Sequence, residues 1–238
     1  MLFCLKYFID NVKICHIGSD DMEKNENLDI CRECGGRCCK KSGCDYSAKD
    51  FSDLSFKALC EILSEGKISV VTFLKFKKMS NGRTLAEPFL YLRARNQNRD
   101  IIDLVSMKTR CSQLGEDGCN YPYEKRPAGG VNLTPVRRKD GYCYPKEDPF
   151  TIAETWRPYQ NALRKIVKRY TGMSVENKIR QDVEMLFEDI YAEKFDGVSR
   201  DEKEDLLNFV ATLGEAYPDE LSKARKKGTV SVMFYNKK

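Results

Sequence analysis

Cysteine is the residue type whose number and spacing indicate chemistry in this chain. The sequence has 238 residues and 11 cysteines, and five of these lie in the stretch CRECGGRCCKKSGC at positions 31–44. Two cysteines separated by two residues, such as Cys31 and Cys34, can turn both sulfurs toward one metal ion. A following glycine can adopt positive φ and aim backbone N–H groups at those sulfurs. Metal binding is therefore the first chemistry to consider.

A second cysteine patch lies within residues 111–149, a segment rich in proline and glycine that shows no hydrophobic periodicity. Such a segment needs something other than a core to order it. A metal held between the two patches would supply that order, because the free energy of metal binding becomes free energy of folding. The predicted ligands from both patches are Cys31, Cys34, Cys38, Cys39, Cys44, Cys111, Cys119 and Cys143.

The donor type indicates which metal these residues would hold. All predicted ligands are thiolates, and the only histidine, His16, lies outside both patches. Soft sulfur donors favour zinc or an iron–sulfur cluster, foremost a 4Fe–4S cluster, over magnesium, calcium or a three-histidine zinc site. A zinc ribbon would need a second Cys-x-x-Cys pair, and the radical-SAM spacing would need a cysteine where Lys41 stands. The spacing alone leaves zinc and iron–sulfur open.

Redox exchange and disulfide formation are the alternatives to metal binding. A thioredoxin-like Cys-x-x-Cys follows a strand and opens a helix, whereas Cys31 follows a polar stretch and Cys34 precedes two glycines. An odd number of cysteines cannot pair completely, and small secreted domains use disulfides when they are too short to build a core. Both alternatives are weaker than metal binding.

The cysteine pattern also resembles a known family. The chain carries three motifs in order, namely Cys31-x-x-Cys34-Gly-Gly-x-Cys38-Cys39, Cys111-x-x-Leu114-x-x-Asp117-Gly118-Cys119-x-Tyr121 and Arg126-Pro127. Together they resemble the YkgJ-type cysteine-cluster family of zinc- or iron-chelating domains, to which the flagellin lysine N-methylases are related. The resemblance covers roughly residues 31–145 and implies metal chelation, without implying a particular reaction.

One position departs from the family pattern. The family often has a cysteine three residues after the proline of its Arg-Pro pair, where this chain has Gly130. Cys143, which an aromatic residue and a proline follow, is the hypothetical substitute, so Cys143→Ser should lose metal as severely as Cys119→Ser. Arg126 is expected to pair with a carboxylate, offset thiolate charge or form a plain surface salt bridge.

The segments between the cysteine patches predict one helix and a small antiparallel sheet. Ser55 is a typical N-cap, and the apolar residues that follow it recur at helical spacing with Cys60 on the apolar face. Cys60 is therefore expected to be buried rather than to bind metal. Three stretches rich in β-branched and aromatic residues, separated by turn signals at Asn81-Gly82 and Asn96-Gln97-Asn98, predict strands. They are KISVVTFLKF at 67–76, PFLYLRAR at 88–95 and DIIDLVSM at 100–107.

After Trp156 three helices are predicted from apolar stripes. The stripes are Tyr159, Leu163, Ile166, Val167 and Tyr170; Ile179, Val183, Leu186, Phe187 and Ile190; and Leu206, Leu207, Val210, Leu213 and Leu221. The predicted fold class is α+β, with a small antiparallel sheet, cysteine-rich loops around a metal site and a C-terminal helical part. Residues 25–150 would form the metal-binding domain, and residues 151–238 the helical region packed on it.

Residues 1–24 are predicted to be an extension outside the domain. The sequence from Met22 reads like a polar N-terminus, so residues 1–21 are a candidate non-native extension, and Cys4, Cys15 and His16 carry no chemistry under this hypothesis. The apolar run at the start lacks a basic region before it and is far shorter than the roughly 20 residues that span a bilayer. We expect a cytoplasmic protein with reduced thiols and no membrane partner.

Composition narrows the partners and the reaction classes. The chain has 41 basic and 36 acidic residues and a net charge of +5, with a pI near 8.5, so no nucleic-acid partner is expected. No Ser-His-Asp site is expected, because the only histidine, His16, lies alone near the N-terminus. The first hypothesis is a non-catalytic metal or iron–sulfur protein. The second is an iron–sulfur enzyme modifying a protein or peptide, such as a methyltransferase or oxidoreductase, and a structural zinc module is the third.

Overall fold

The computed structural model describes residue 33 and residues 35–105, 110–116, 118–134, 143–189 and 200–226. These residues combine α-helices with antiparallel strands, as the predicted mixed α and β class requires. In chain order the elements are α1 (Arg37–Lys41), α2 (Phe56–Ser64), β1 (Ile68–Lys78), β2 (Thr84–Ala94), α3 (Ala128–Val131), β3 (Leu133–Thr134), β4 (Tyr144–Pro145), α4 (Pro149–Glu154), α5 (Gln160–Thr171), α6 (Val175–Asp189), α7 (Arg200–Ala216) and α8 (Pro218–Lys226).

The β1–β2 hairpin is the central element. Its strands pair in register from Ile68 opposite Ala94 to Lys78 opposite Thr84. Gly82 has a φ of 78° in the connecting turn, a conformation that glycine adopts without steric cost. The two predicted strands and the Asn81-Gly82 turn are therefore confirmed. Both strands are buried at the end that holds Ile68 and Ala94, and exposed residues concentrate toward the turn.

The third predicted strand is wrong over its described part, residues 100–105. Only a single parallel bridge joins Ile102 to Val70, with Val70 N–H donating to Ile101 C=O at 2.7 Å and Asp103 N–H donating to Val70 C=O at 3.0 Å. A side chain also bonds to a carbonyl group of this segment, because the Thr72 hydroxyl donates a hydrogen bond to Leu104 C=O at 2.7 Å. Residues 106–107 lie outside the described part.

The helix predicted after Ser55 is confirmed. The Ser55 hydroxyl accepts a hydrogen bond from Ala58 N–H, as an N-cap does. α2 ends before Gly66, and its buried face carries Leu59 and Leu63. Cys60 is half-buried and packs against the core, so its place on the apolar face is confirmed although its burial is incomplete.

The first two predicted C-terminal helices correspond to α5 and α6. Leu163, Ile166 and Val167 of α5 are buried, as are Ile179 and Val183 of α6. The third predicted stripe is divided between two helices, because α7 ends at Ala216 and α8 begins at Pro218. Proline lacks the N–H needed to continue a helix, so Leu221 belongs to α8. Ile190 and residues 1–24 lie outside the described residues.

One contiguous core joins the hairpin to the C-terminal helices. Trp156, the only tryptophan, is fully buried there, and its indole N–H donates to Tyr46 C=O at 2.7 Å. Gln160 donates to Leu90 C=O at 2.7 Å and accepts from Leu90 N–H at 2.9 Å. Helix α5 is thereby tied directly to β2. None of the described helices is long and apolar enough to cross a membrane.

Candidate metal centre

Six of the eight predicted ligands lie in the described part of the chain. They are Cys38, Cys39, Cys44, Cys111, Cys119 and Cys143. Cys31 and Cys34 lie outside it, so their role stays a prediction. The described cysteines are all thiols, with no disulfide among them.

Helix α1 carries Cys38 and Cys39, and the two glycines that precede it adopt the left-handed backbone conformation. Gly35 has a φ of 58° and Gly36 a φ of 71°, which confirms the expected positive φ after the Cys-x-x-Cys motif. Gly36 also lies against Leu114, because an added Cβ would come within 2.5 Å of the leucine Cδ1. The first cysteine patch is thus held directly against the second.

The two neighbouring thiols of α1 point to different partners. Cys38 forms a side-chain hydrogen bond with Cys143, whereas Cys39 forms one with Cys44. Successive residues of a helix face different directions, so this divergence follows from their placement on α1. We call these contacts the 38–143 pair and the 39–44 pair.

The acidity of these thiols follows from the pairing. The pKa of Cys38 is lowered to about 6, first by the hydrogen bond from the Cys143 side chain; burial opposes this shift, while Cys143 N–H and the charge of Lys41 support it. In the 39–44 pair the hydrogen bond lowers the pKa of Cys39 and raises that of Cys44, and burial raises the Cys44 pKa further. Cys38 and Cys39 therefore both have a lowered pKa, which suits thiolate ligation.

Cys44 is positioned by an extended segment that runs beside β2. Ala94 N–H donates to Cys44 C=O at 2.9 Å, and Tyr46 N–H donates to Leu92 C=O at 2.9 Å. This close approach needs Gly43, because a Cβ there would lie 1.9 Å from the carbonyl oxygen of Ala94. The hairpin thus acts as the rigid platform for this thiol.

Cys111 connects the second patch to the first through the backbone. Its N–H donates to Cys39 C=O at 2.7 Å, and its sulfur accepts from Gln113 N–H at 3.4 Å. Cys111 is only 5% exposed, and burial raises its pKa to about 11. Cys39 and Cys119 both lie within electrostatic range of this thiol.

Cys119 lies at the end of a tight turn. Gly115 N–H donates to Gly118 C=O at 2.7 Å, and Cys119 forms a single bridge with Leu114. The chain therefore turns between Gly115 and Gly118. This turn returns the chain so that Cys119 lies near Cys111.

Gly130, where the resembling family often has cysteine, lies beside the 39–44 pair. A Cβ at Gly130 would lie 3.5 Å from Cys44 Sγ, an ordinary contact. Cys143, the hypothetical substitute for that cysteine, instead contacts Cys38, whereas a side chain at position 130 would contact Cys44.

Lys41 and Arg126 place positive charge near two of the thiols. Arg126 lowers the pKa of Cys39 by its charge, which agrees with the expected role of offsetting thiolate charge. Its guanidinium also donates to Tyr121 C=O at 3.4 Å and lies 5.5 Å from the centre of the Tyr123 ring. Arg126 is half-buried.

Sequence reasoning missed the buried pair of Arg93 and Asp45, which flanks Cys44. Arg93 donates from Nε to Asp45 Oδ1 at 2.7 Å and from a terminal nitrogen to the Tyr91 hydroxyl at 2.7 Å. Burial raises the pKa of the Asp45 carboxyl, and Arg93 opposes that shift. An arginine within the apolar run PFLYLRAR was the available signal.

The described donors fit a soft metal in type, although they are arranged in pairs. No group of three cysteine, histidine or acidic side chains within the described ranges is placed to hold one metal ion. Thiolates, backbone N–H groups directed at sulfur and nearby cations are nevertheless the environment that zinc or iron–sulfur centres use.

Comparison with known proteins does not narrow the candidate functions of this chain. No family model matches the chain, and no curated protein or solved structure matches it either. The resemblance to the YkgJ-type family stays a prediction from the motifs.

Proposed function

We propose that this chain is a cysteine-ligated metal-binding protein that holds zinc or an iron–sulfur cluster between its two cysteine patches. The observation that carries the proposal is the meeting of thiols that are distant in sequence. Cys38 contacts Cys143, and Cys111 is bonded to the backbone of Cys39. Of the described residues in the segment 111–149, Cys111 and Leu114 join the hydrophobic core, and a bound metal would help to order the rest.

Cys38, Cys39, Cys44, Cys111, Cys119 and Cys143 would hold the metal, together with Cys31 and Cys34 from the sequence motif. Bound metal would supply folding free energy and, in a cluster, electron transfer. The cytoplasmic location is part of the proposal, because thiolate ligands need a reducing compartment. An open coordination position would extend the proposal to an enzyme acting on a protein or peptide.

Anaerobic purification with quantitation of zinc, iron and acid-labile sulfide tests the proposal. We expect stoichiometric zinc, or iron with matching sulfide and visible charge-transfer absorption. Cys111→Ser should lose metal, because Cys39 and Cys119 both lie within electrostatic range of its thiol. Cys60→Ser is the matched control, since Cys60 packs on the core from α2 and should keep full metal content.

The same measurement separates the alternatives. A wild-type protein with neither zinc nor iron would refute the proposal. Stoichiometric zinc without iron would remove the iron–sulfur enzyme hypothesis. An iron–sulfur spectrum that changes when S-adenosylmethionine is added would indicate an accessible iron and favour the enzyme.

A further inference from the structure

The β1–β2 hairpin has two edges, and its hydrogen-bonding pattern determines which backbone groups point out of each edge. Met79 N–H donates to Arg83 C=O at 2.8 Å beside the turn, and the strands then pair without a bulge as far as Ile68 opposite Ala94. In an antiparallel ladder, hydrogen-bonded pairs alternate with non-hydrogen-bonded pairs. The even-numbered residues of both strands therefore direct their N–H and C=O groups outward.

The edge formed by β2 is occupied along most of its length. Ala94 N–H and Leu92 C=O bond to the extended segment that runs beside β2. Both outward groups of Leu90 bond to the Gln160 side chain. The next outward position toward the turn is Pro88, which has no N–H to donate. Proline is one of the devices that keep another strand from adding to an edge.

The edge formed by β1 differs, because its bonded part lies near the start of the strand. The N–H and C=O of Val70 bond to the segment 100–105. Farther along, no residue in the described part of the chain bonds to the outward backbone groups of Phe76 or Lys78. The Phe76 side chain packs against Phe209 of α7, which is a contact on the face of the hairpin and leaves the outward N–H and C=O groups in the plane of the sheet.

This part of the β1 edge is positively charged. Lys75, Lys77 and Lys78 are all exposed. Lys75 Nζ lies 3.4 Å from Glu154 and Lys78 Nζ lies 3.9 Å from a glutamate of α7, whereas no acidic side chain among the described residues forms an ion pair with Lys77. Like charges opposite each other destabilise paired strands, and opposite charges stabilise them. The edge therefore disfavours pairing with a second copy of itself and favours an acidic strand.

We propose that the β1 edge at residues 76–78 is a docking site for an extended acidic segment of a partner protein, which adds to the hairpin as a third strand. Main-chain hydrogen bonds to the outward groups would provide affinity, and acidic side chains beside Lys77 would provide specificity. Met79 is 43% exposed and lies on the same face as Lys77, because side chains of a strand alternate between faces. It would contact an apolar residue of the added segment. The proposal does not depend on bound metal.

Binding of short synthetic peptides to the full-length protein tests this proposal. One labelled peptide alternates glutamate with valine and has blocked ends, and a second has lysine in place of each glutamate. Fluorescence anisotropy measures the affinity of each peptide. We expect the acidic peptide to bind and the basic peptide to bind far more weakly, because like charges oppose its approach to the lysines of β1. Failure of the acidic peptide to bind, or equal affinity for the two peptides, would overturn the proposal.

Amide hydrogen exchange, measured by NMR, locates the bound peptide on the hairpin. The amide protons of Phe76 and Lys78 should exchange rapidly in the protein alone and slowly when the acidic peptide is bound. Ala86 N–H points outward from the β2 edge directly opposite Phe76, so it is the internal control and should not change. Slow exchange at Phe76 and Lys78 without peptide would show that this edge is already occupied and would overturn the proposal, as would protection of Ala86 in their place.

A charge reversal on the edge completes the test. Lys77→Glu should weaken binding of the acidic peptide about fivefold, because it replaces an attraction between neighbouring strands with a repulsion. Lys165→Glu makes the same change of charge at an exposed lysine of α5 and should leave the affinity unchanged. Equal losses in the two variants would show that only the net charge of the protein matters and would overturn the docking site.

Discussion

At the scale of single residues, the acidity of each thiol depends on the groups that surround it in the fold and not on its position in the sequence. The hydrogen bond from Cys143 lowers the pKa of Cys38 to about 6, whereas burial raises that of Cys111 to about 11. Because the thiolate is both nucleophile and metal ligand, Cys38 is the described thiol best prepared to start metal binding near neutral pH.

Alkylation of metal-free protein should reveal this acidity. The rate at which iodoacetamide modifies Cys38 should rise with pH through a midpoint near 6, because only the thiolate reacts. Peptide mapping by mass spectrometry measures the rate at each pH. Cys143→Ala removes the donor side chain, so the midpoint for Cys38 in this variant should move toward the ordinary thiol pKa of 9.0. A wild-type midpoint already near that value would contradict the prediction.

The buried ion pair beside Cys44 should contribute more to stability than an exposed ion pair does. The Arg93 side chain is 3% exposed and that of Asp45 is 11% exposed. Asp45→Ala leaves the guanidinium buried without its carboxylate, so we expect the free energy of unfolding to fall by about 3–5 kcal/mol. Urea denaturation provides the measurement.

The exposed pair of Lys57 and Glu61 on α2 is the matched control for that substitution. Lys57→Ala should change the free energy of unfolding by no more than about 0.5 kcal/mol, because exposed pairs are screened by solvent. Equal effects of Asp45→Ala and Lys57→Ala on the free energy of unfolding would show that the buried pair contributes no more to stability than the exposed pair.

At the scale of elements, the short helix α3 is held against the Cys44 segment by the absence of a side chain. Gly129 N–H donates to Asp45 C=O at 2.9 Å. A Cβ at Gly129 would lie 2.9 Å from both the backbone nitrogen and the oxygen of Asp45. Backbone atoms cannot move aside as a flexible side chain can, so this contact requires glycine.

Alanine substitutions at two adjacent glycines test this contact. Gly129→Ala should lower the free energy of unfolding by about 1–3 kcal/mol through overpacking. Gly130→Ala is the matched control, because its added Cβ would make only ordinary contacts of 3.5 Å or more; we expect a change within about 0.5 kcal/mol. Both are measured by urea denaturation without added metal. Similar losses for the two variants would contradict this account.

At the scale of the whole molecule, the hairpin and the C-terminal helices share one core. Trp156 packs in this core, with its ring centre 5.7 Å from that of Phe51 and 6.0 Å from that of Tyr159. Phe76 of β1 contacts Phe209 of α7. The domain boundary predicted near residue 150 is therefore crossed by core contacts.

We expect the chain to unfold in a single transition. Fluorescence of Trp156, which reports on the shared core, and far-UV circular dichroism, which reports on the helices, should give the same urea midpoint. A fragment of residues 1–150 should fail to give a cooperative transition, because it lacks Trp156 and α5. Separate midpoints for the two signals, or a stable fragment, would show two independent domains.

Metal removal should lower the thermal stability of the whole molecule. A ligand that binds only the folded state stabilises it by mass action, and the proposed metal connects α1 to the loops that carry Cys111 and Cys143. Thermal melts with and without a chelator should therefore differ, and the difference should vanish in Cys111→Ser. An unchanged melting temperature in wild type would count against a stabilising metal.

Local sequence signals predicted the elements well where short-range forces decide them. The Ser55 cap, the Asn81-Gly82 turn and the stripes of α5 and α6 depend on hydrogen bonds and periodicity within one segment. The stretch at 100–105 has strand composition, yet it forms only one bridge, between Ile102 and Val70. The Thr72 hydroxyl, a side-chain donor, bonds to Leu104 C=O. Hydrophobic spacing continues across Pro218, so the sequence predicts Leu221 in the same helix as Leu213, whereas the structure has it in α8.

The sequence by itself determined which residues could hold metal, because thiol chemistry and the clustering of cysteines are visible without a fold. Only the tertiary structure decided which thiols meet. Cys38 meets Cys143 across 105 positions, whereas its neighbour Cys39 turns to Cys44. The physical reason is that helix α1 directs successive side chains apart, and the hairpin and the loops after it determine what each side chain then contacts.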